Sequence, residues 1–143
     1  MARTPSDEVL LAALRMAMGI SVQAADRIGT VSAVQLRAVT VLHQRPGLNL
    51  GELAQRMGVS VSVTSRLVDR LGSAGLVEKR PSPTSGREIS LWLSPEGEKT
   101  LHRYDDLRLD QLRERLKALP AARAAAVVSA LQALVGGDAG RTS

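Results

Sequence analysis

The stretch from Asn49 to Ser94 constrains this chain more tightly than any other part of it. Asn49 with Glu52 three residues on is a reciprocal helix-capping pair, and Leu50, Leu53, Ala54 and Met57 then share one helical face. Gly58-Val59-Ser60 breaks that period. Glycine permits a left-handed backbone there, and serine can cap a new helix. Across 61–74, Val63, Thr64, Leu67, Val68, Leu71 and Ala74 fall on one side, and Ser62, Ser65, Arg66, Asp69, Arg70 and Ser73 on the other. Gly75 is a stop signal. Leu76 to Arg80 reads as a strand and 81–86 as a turn-rich tip. Ile89, Leu91 and Leu93 then alternate with Ser90, Trp92 and Ser94, the period of a half-buried strand.

Two helices at a glycine turn, followed by two strands around a polar loop, form the layout of a winged helix-turn-helix. A helix that reads the major groove needs small polar or basic side chains near its N-terminal end. Ser60, Ser62, Thr64, Ser65 and Arg66 meet that need. The hydroxyls and the open helix N-terminus suit phosphate oxygens, and Arg66 suits the two acceptors on a guanine edge. Arg70, one turn on, is expected at the backbone. Arg87 flanks the Ser85-Gly86 tip, which can follow a minor groove, with Lys79 and Arg80 at the base of the loop. Charge agrees with this placement. The net charge is +5, and residues 56–88 hold six cations against three anions.

The flanks are helical. Over 6–28, Val9, Ala13, Met16 and Ile20 make one apolar stripe and Leu10, Leu14 and Ala17 a second, wider than one neighbour needs. The start is read at Thr4-Pro5 or Ser6, and Gly29-Thr30 ends the pattern. Ser32 with Gln35 opens a second helix with core positions Leu36, Val39 and Leu42, ended by Arg45-Pro46-Gly47. Ser94-Pro95-Glu96 starts a helix to about Ala118, with Leu109, Leu112, Leu116 and Leu119 along one stripe. Pro120 starts an alanine-rich last helix carrying Val127, Val128, Leu131 and Leu134. Gly136-Gly137 stops it, and 138–143 reads as a frayed tail. The expected fold is mainly α (α+β): six helices and a small antiparallel wing. It forms a single domain over 1–143, with a DNA-binding lobe at 30–95 and a helical dimerisation region at 5–28 and 96–137. Val9, Leu10, Ala13, Leu14, Ala17, Val127, Val128, Leu131 and Leu134 are its expected dimer residues.

Composition narrows the chemistry. Without cysteine there is no disulfide, thiolate metal site or thiol switch, and the two histidines, His43 and His102, lie far apart in sequence. No metal or cofactor is expected. No nucleophile or acid/base pair suggests an enzyme. No apolar run is read as reaching membrane-spanning length and the N-terminus lacks a signal-peptide core, so a cytoplasmic protein with no membrane partner is expected.

At the level of motifs, the run LAQRMGVSVSVTSRLVDRLGSAGLVEKRPSPTSGREISLWLSPEG resembles the MarR family of bacterial transcriptional regulators. LA…MGVS…VT-x-LVDRL-x-x-x-GLV-x-R is similar to that family's third and fourth helices and first wing strand. Leu91 to Gly97 is similar to its second wing strand and the start of its fifth helix. There is one departure: where the family's wing carries Asp, a residue and Arg, this chain has Ser85-Gly86-Arg87. The arginine is kept and its orienting carboxylate is not, so a looser wing is expected. The resemblance implies a ligand-responsive homodimeric repressor on a pseudo-palindromic operator of double-stranded DNA. Helices one, five and six would dimerise it, and a small apolar or phenolic effector would sit among helices one, two and five. The alternative is a winged helix that binds another protein and not DNA. A basic rather than apolar outer helix face argues against that alternative.

Overall fold

A computed structural model describes residues 2–136. Its elements are α1 (Pro5–Ile28), α2 (Ala33–Gln44), α3 (Leu50–Met57), α4 (Val61–Ser73), β1 (Val77–Pro81), β2 (Ile89–Leu93), α5 (Pro95–Lys117) and α6 (Ala121–Gly136). Six helices and a two-stranded antiparallel sheet match the expected architecture. The stop at Gly137 and the tail at 138–143 lie outside the described residues.

Local chemistry sets the helix starts. Thr4, Ser32 and Asn49 each accept a hydrogen bond from the backbone N–H three residues on, while Asp7, Gln35 and Glu52 reach back to the cap's own N–H. Three reciprocal boxes thus satisfy orphan donors of α1, α2 and α3. At the boundary between α3 and α4, Gly58 sits at φ 69°, a left-handed conformation that a side chain would strain.

Contacts divide the chain into two units, residues 1–108 and 109–143. The first holds the hydrophobic core. Leu36, Val39 and Leu42 of α2, Leu53 and Met57 of α3 and Leu67, Val68 and Leu71 of α4 pack with Leu76, Val77, Leu91, Leu101 and Tyr104. Ile20, Ala24 and Ala25 are the buried residues of α1. Small residues there let α1 approach α2 closely, as expected for a chain without phenylalanine. In the second unit α6 buries no residue, while Leu112 and Leu116 at the end of α5 are half-buried.

Two findings correct the expectations. Helix α1 is long and apolar enough, by length and composition, to cross a membrane. Its apolar positions form two stripes around Arg15, so counting uninterrupted runs missed it. Strand β2 does not alternate as its residue types suggest: Ile89 is 51% exposed, whereas Ser90 and Ser94 are buried. The serines are buried because they are bonded. Ser90 Oγ donates to the Arg80 carbonyl (3.1 Å) and accepts from Trp92 Nε1 (2.9 Å). Ser94 Oγ donates to the Gly75 carbonyl (2.6 Å) and accepts from the Gly97 N–H (3.0 Å). Burial follows hydrogen-bond satisfaction here as well as apolarity.

Candidate nucleic-acid interface

Helix α4 is anchored by one stripe and presents the other. Thr64, Leu67, Val68 and Leu71 are its buried residues, at the i, i+3, i+4, i+7 spacing of a helix packed on one side. Val63 and Ala74 flank that stripe and are exposed, not core-facing as expected. Ser60 caps the helix, its Oγ accepting from the Val63 N–H at 3.2 Å. Beyond it Ser62, Arg66, Asp69 and Arg70 are exposed and Ser65 is half-buried. Among the described residues, no hydrogen bond or ion pair holds the guanidinium of Arg66 or Arg70.

Thr64 does not belong with the contact residues. It is fully buried, and its hydroxyl donates to the Ser60 carbonyl at 2.9 Å. That bond satisfies the hydroxyl within the first turn and leaves the methyl group to the core, so the side chain cannot reach a groove.

The wing separates residues that the sequence grouped. β1 and β2 pair with Val77 opposite Leu93, Lys79 opposite Leu91 and Pro81 opposite Ile89. Leu48 adds an isolated bridge to Leu91, tying the end of the α2–α3 loop to the wing. Consecutive strand residues face opposite ways. Lys79 therefore turns to α4, where its Nζ meets Asp69 Oδ1 at 3.0 Å. Arg80 turns to the other face, bonds Glu78 at 2.9 Å and lies 4.7 Å over the Trp92 ring. Both cations, expected at the base of the loop as DNA contacts, are already engaged within the chain. At the tip, Ser85, Gly86 and Arg87 stand near the turn's end. The Ser85 hydroxyl accepts from the Arg87 N–H at 3.4 Å, and the Arg87 side chain is exposed. The serine that replaces the family's Asp thus bonds the arginine's backbone, not its guanidinium.

Between the start of α3, α4 and the wing lies a groove of about 520 Å³, lined by Asn49, Ser65, Asp69, Lys79, Arg87 and Leu91 among others. What sequence reasoning missed here is the pairing of Asp69, an anion on the outward face of α4, with Lys79. Its signal was present. Lys79 is the wing cation on the strand face that turns toward α4, which strand alternation alone could have suggested.

Away from this face, the two histidines come together along one groove at the start of α5. His43 meets Glu98 at 2.8 Å and His102 meets Asp106 at 3.5 Å. Among the described residues, no group of three or more His, Asp or Glu side chains forms a metal-binding cluster. Charged side chains dominate the groove's lining. The dimer candidates Val9, Leu10, Ala13, Leu14 and Ala17 on α1 and Val127, Val128, Leu131 and Leu134 on α6 are all exposed.

Comparison with known proteins adds the following. Residues 31–89 match the model of the MarR family. A Bacillus subtilis protein named as an HTH-type transcriptional regulator, YsmB, is 30% identical over 77 residues, 54% of this chain and 53% of that one. The match therefore spans about half the length of that relative. The crystal structure of RV1404 from Mycobacterium tuberculosis superposes with a TM-score of 0.80 at 28% identity, covering 95% of this chain and 96% of that one. A mutant form of MepR from Staphylococcus aureus, bound to an oligodeoxyribonucleotide in its structure, superposes with a TM-score of 0.70 at 13% identity, covering 94% and 99%.

Proposed function

We propose, from the match of residues 31–89 to the model of the MarR family, that the chain is a member of that family and regulates transcription by binding double-stranded DNA. One observation carries the reading: α4 is fixed to the core by Thr64, Leu67, Val68 and Leu71 and offers Ser62, Arg66 and Arg70 outward. A helix fixed to the core, with unengaged guanidinium groups at Arg66 and one turn further at Arg70, suits the major groove. Arg66 reads a base edge. Arg70, Ser60, Ser62 and Ser65 hold phosphates, and Arg87 follows the adjoining minor groove. Lys79 and Arg80 contribute through their partners. A neighbour of the same fold is bound to an oligodeoxyribonucleotide in its structure, which agrees with DNA as the partner.

The finer reading is a cytoplasmic homodimeric repressor on a pseudo-palindromic operator. The apolar faces of α1 and α6 support dimerisation, because Leu10, Leu14, Met18, Val128, Leu134 and Val135 are each more than half exposed. A second copy covers α1 better than lipid does: Arg15 stands mid-helix, and Ile20, Ala24 and Ala25 are committed to the core. Two lobes in such a dimer meet successive major grooves about 34 Å apart. Effector response completes the proposal. The groove along α2 and α5, with Leu101 at its floor and charges at its rim, suits an amphipathic phenolic ligand better than a wholly apolar one. The reading is of a regulator, with no enzymatic step in it.

Selection of genomic fragments by the purified protein tests this reading. Recovery of short fragments sharing an inverted repeat, with the DNA upstream of its own gene a first candidate, is the expected result. Failure to retain any fragment at low salt would overturn DNA binding and leave the winged helix as a protein-binding module.

A further inference from the structure

Asp69 poses a problem for any anionic partner. It lies on the outward face of α4, three residues after Arg66 and directly before Arg70, with its side chain 64% exposed. A carboxylate there faces the same partner as the two arginines. Lys79 reaches it from the wing at 3.0 Å. That contact crosses from the recognition helix to β1, and Ser65, Asp69, Lys79 and Arg87 line one groove between the two elements. Exposed ion pairs add little to stability, so folding alone is a weak reason for this one.

From this geometry we propose that Lys79 is a positioning residue for DNA binding. It neutralises Asp69 and holds the wing at a fixed distance from α4, and it does not itself contact phosphate. The proposal rests on the DNA-binding reading and deepens it. It also assigns opposite roles to adjacent wing cations. Lys79 braces the wing against the recognition helix, whereas Arg80 packs against Trp92 on the far face.

Charge accounting separates this role from a direct contact. A lysine on phosphate contributes about one unit to the salt slope of binding, whatever occupies position 69. A lysine that cancels a carboxylate contributes only while that carboxylate is present. Anisotropy titrations over a range of salt concentrations, on a labelled random-sequence duplex of about 30 base pairs, need no knowledge of the operator. Lys79→Gln should weaken binding roughly fivefold to tenfold and lower the slope by about one. Asp69→Asn alone should change affinity and slope little, because the lysine it frees is not placed on phosphate. Adding Asp69→Asn to Lys79→Gln should recover most of the lost affinity and of the lost slope. A double variant as weak as Lys79→Gln, with its slope still lowered, would overturn the proposal and make Lys79 a phosphate contact. Circular dichroism on each variant checks the fold, which an exposed pair should leave intact. Wild-type protein without affinity for the duplex at low salt would overturn the DNA-binding reading itself, an outcome distinct from failure of the rescue.

Discussion

The winged lobe and the outer helices solve the same problem, burial of aliphatic residues, to different degrees. In the lobe, Leu36, Leu42, Leu53, Leu71, Val39 and Val68 are almost wholly inaccessible, on helices set by paired caps in α2 and α3 and by Ser60 in α4. On α1, Leu14 is 67% exposed, and on α6, Leu134 is 73% exposed. The residue types are alike; what differs is whether one chain supplies the opposing surface. The lobe carries its own core, and its outward face is therefore free to be polar and basic. The outer helices keep an apolar face outward, which a soluble monomer rarely does over so long a surface. A region complete in itself presents a charged surface, and an incomplete one presents a greasy surface.

Several substitutions should sharpen that contrast or break it. Leu71→Ala or Leu53→Ala in the lobe should cost about 2–5 kcal/mol, read as a lowered denaturation midpoint. Leu134→Ala on α6 should change the midpoint by little at high dilution. A large loss at Leu134 under those conditions would mean that α6 is packed within one chain. Charge on the greasy faces comes next: Leu14→Glu with Leu134→Glu should shift sedimentation from dimer to monomer while the helical circular dichroism stays. An unchanged dimer would remove the dimer role given to α1 and α6.

A smaller effect is expected where the wing meets α5. A side chain at Gly97 would collide with the Leu76 carbonyl, and the Gly97 N–H already bonds Ser94 Oγ. Gly97→Ala should therefore cost about 1–3 kcal/mol through backbone displacement. The same change at Gly136, where nothing lies within reach of an added carbon, should be neutral.

The smallest expected effect is at the N-terminus. Bonds from the Thr4 backbone N–H, then the Thr4 hydroxyl, hold the Asp7 carboxyl below its ordinary value of 3.8. A lowered carboxyl stabilises the fold above that ordinary value, and the contribution disappears as pH falls through the lower folded value. Asp7→Asn should remove this part of the acid response. Amide exchange in the first turn of α1 checks it: protection there should fall less between neutral and acid pH in the variant than in the wild type.

Much of this was legible in the sequence because capping and periodicity are local. Ser32 with Gln35, Asn49 with Glu52 and Ser60 mark helix starts by chemistry confined to one turn. Thr64 is a local case: helical periodicity puts it on the core side of α4 and its hydroxyl closes on the Ser60 carbonyl one turn back, although its residue type suits a groove contact. The other misreadings came from non-local effects. Ile89 looks like a core residue by alternation, yet it pairs with Pro81 at the tip end of the wing and stays exposed, while Ser90 is buried by its bonds to Arg80 and Trp92. Lys79 and Arg80 are neighbours along the chain and opposites across the strand. The meeting of Asp69 with Lys79 requires the turn at Gly75 and the strand direction together. α1 was underestimated as a long apolar helix because Arg15 divides its runs.

The most direct measurement of the central claim is a salt-titrated anisotropy comparison of wild type and Arg66→Ala on a fragment recovered from genomic selection. The wild type should lose affinity steeply as salt rises. Arg66→Ala should be weaker by about 1–3 kcal/mol and should discriminate less between the selected fragment and random sequence. Equal affinity and equal discrimination for the two proteins would contradict the assignment of α4 as the helix that reads DNA.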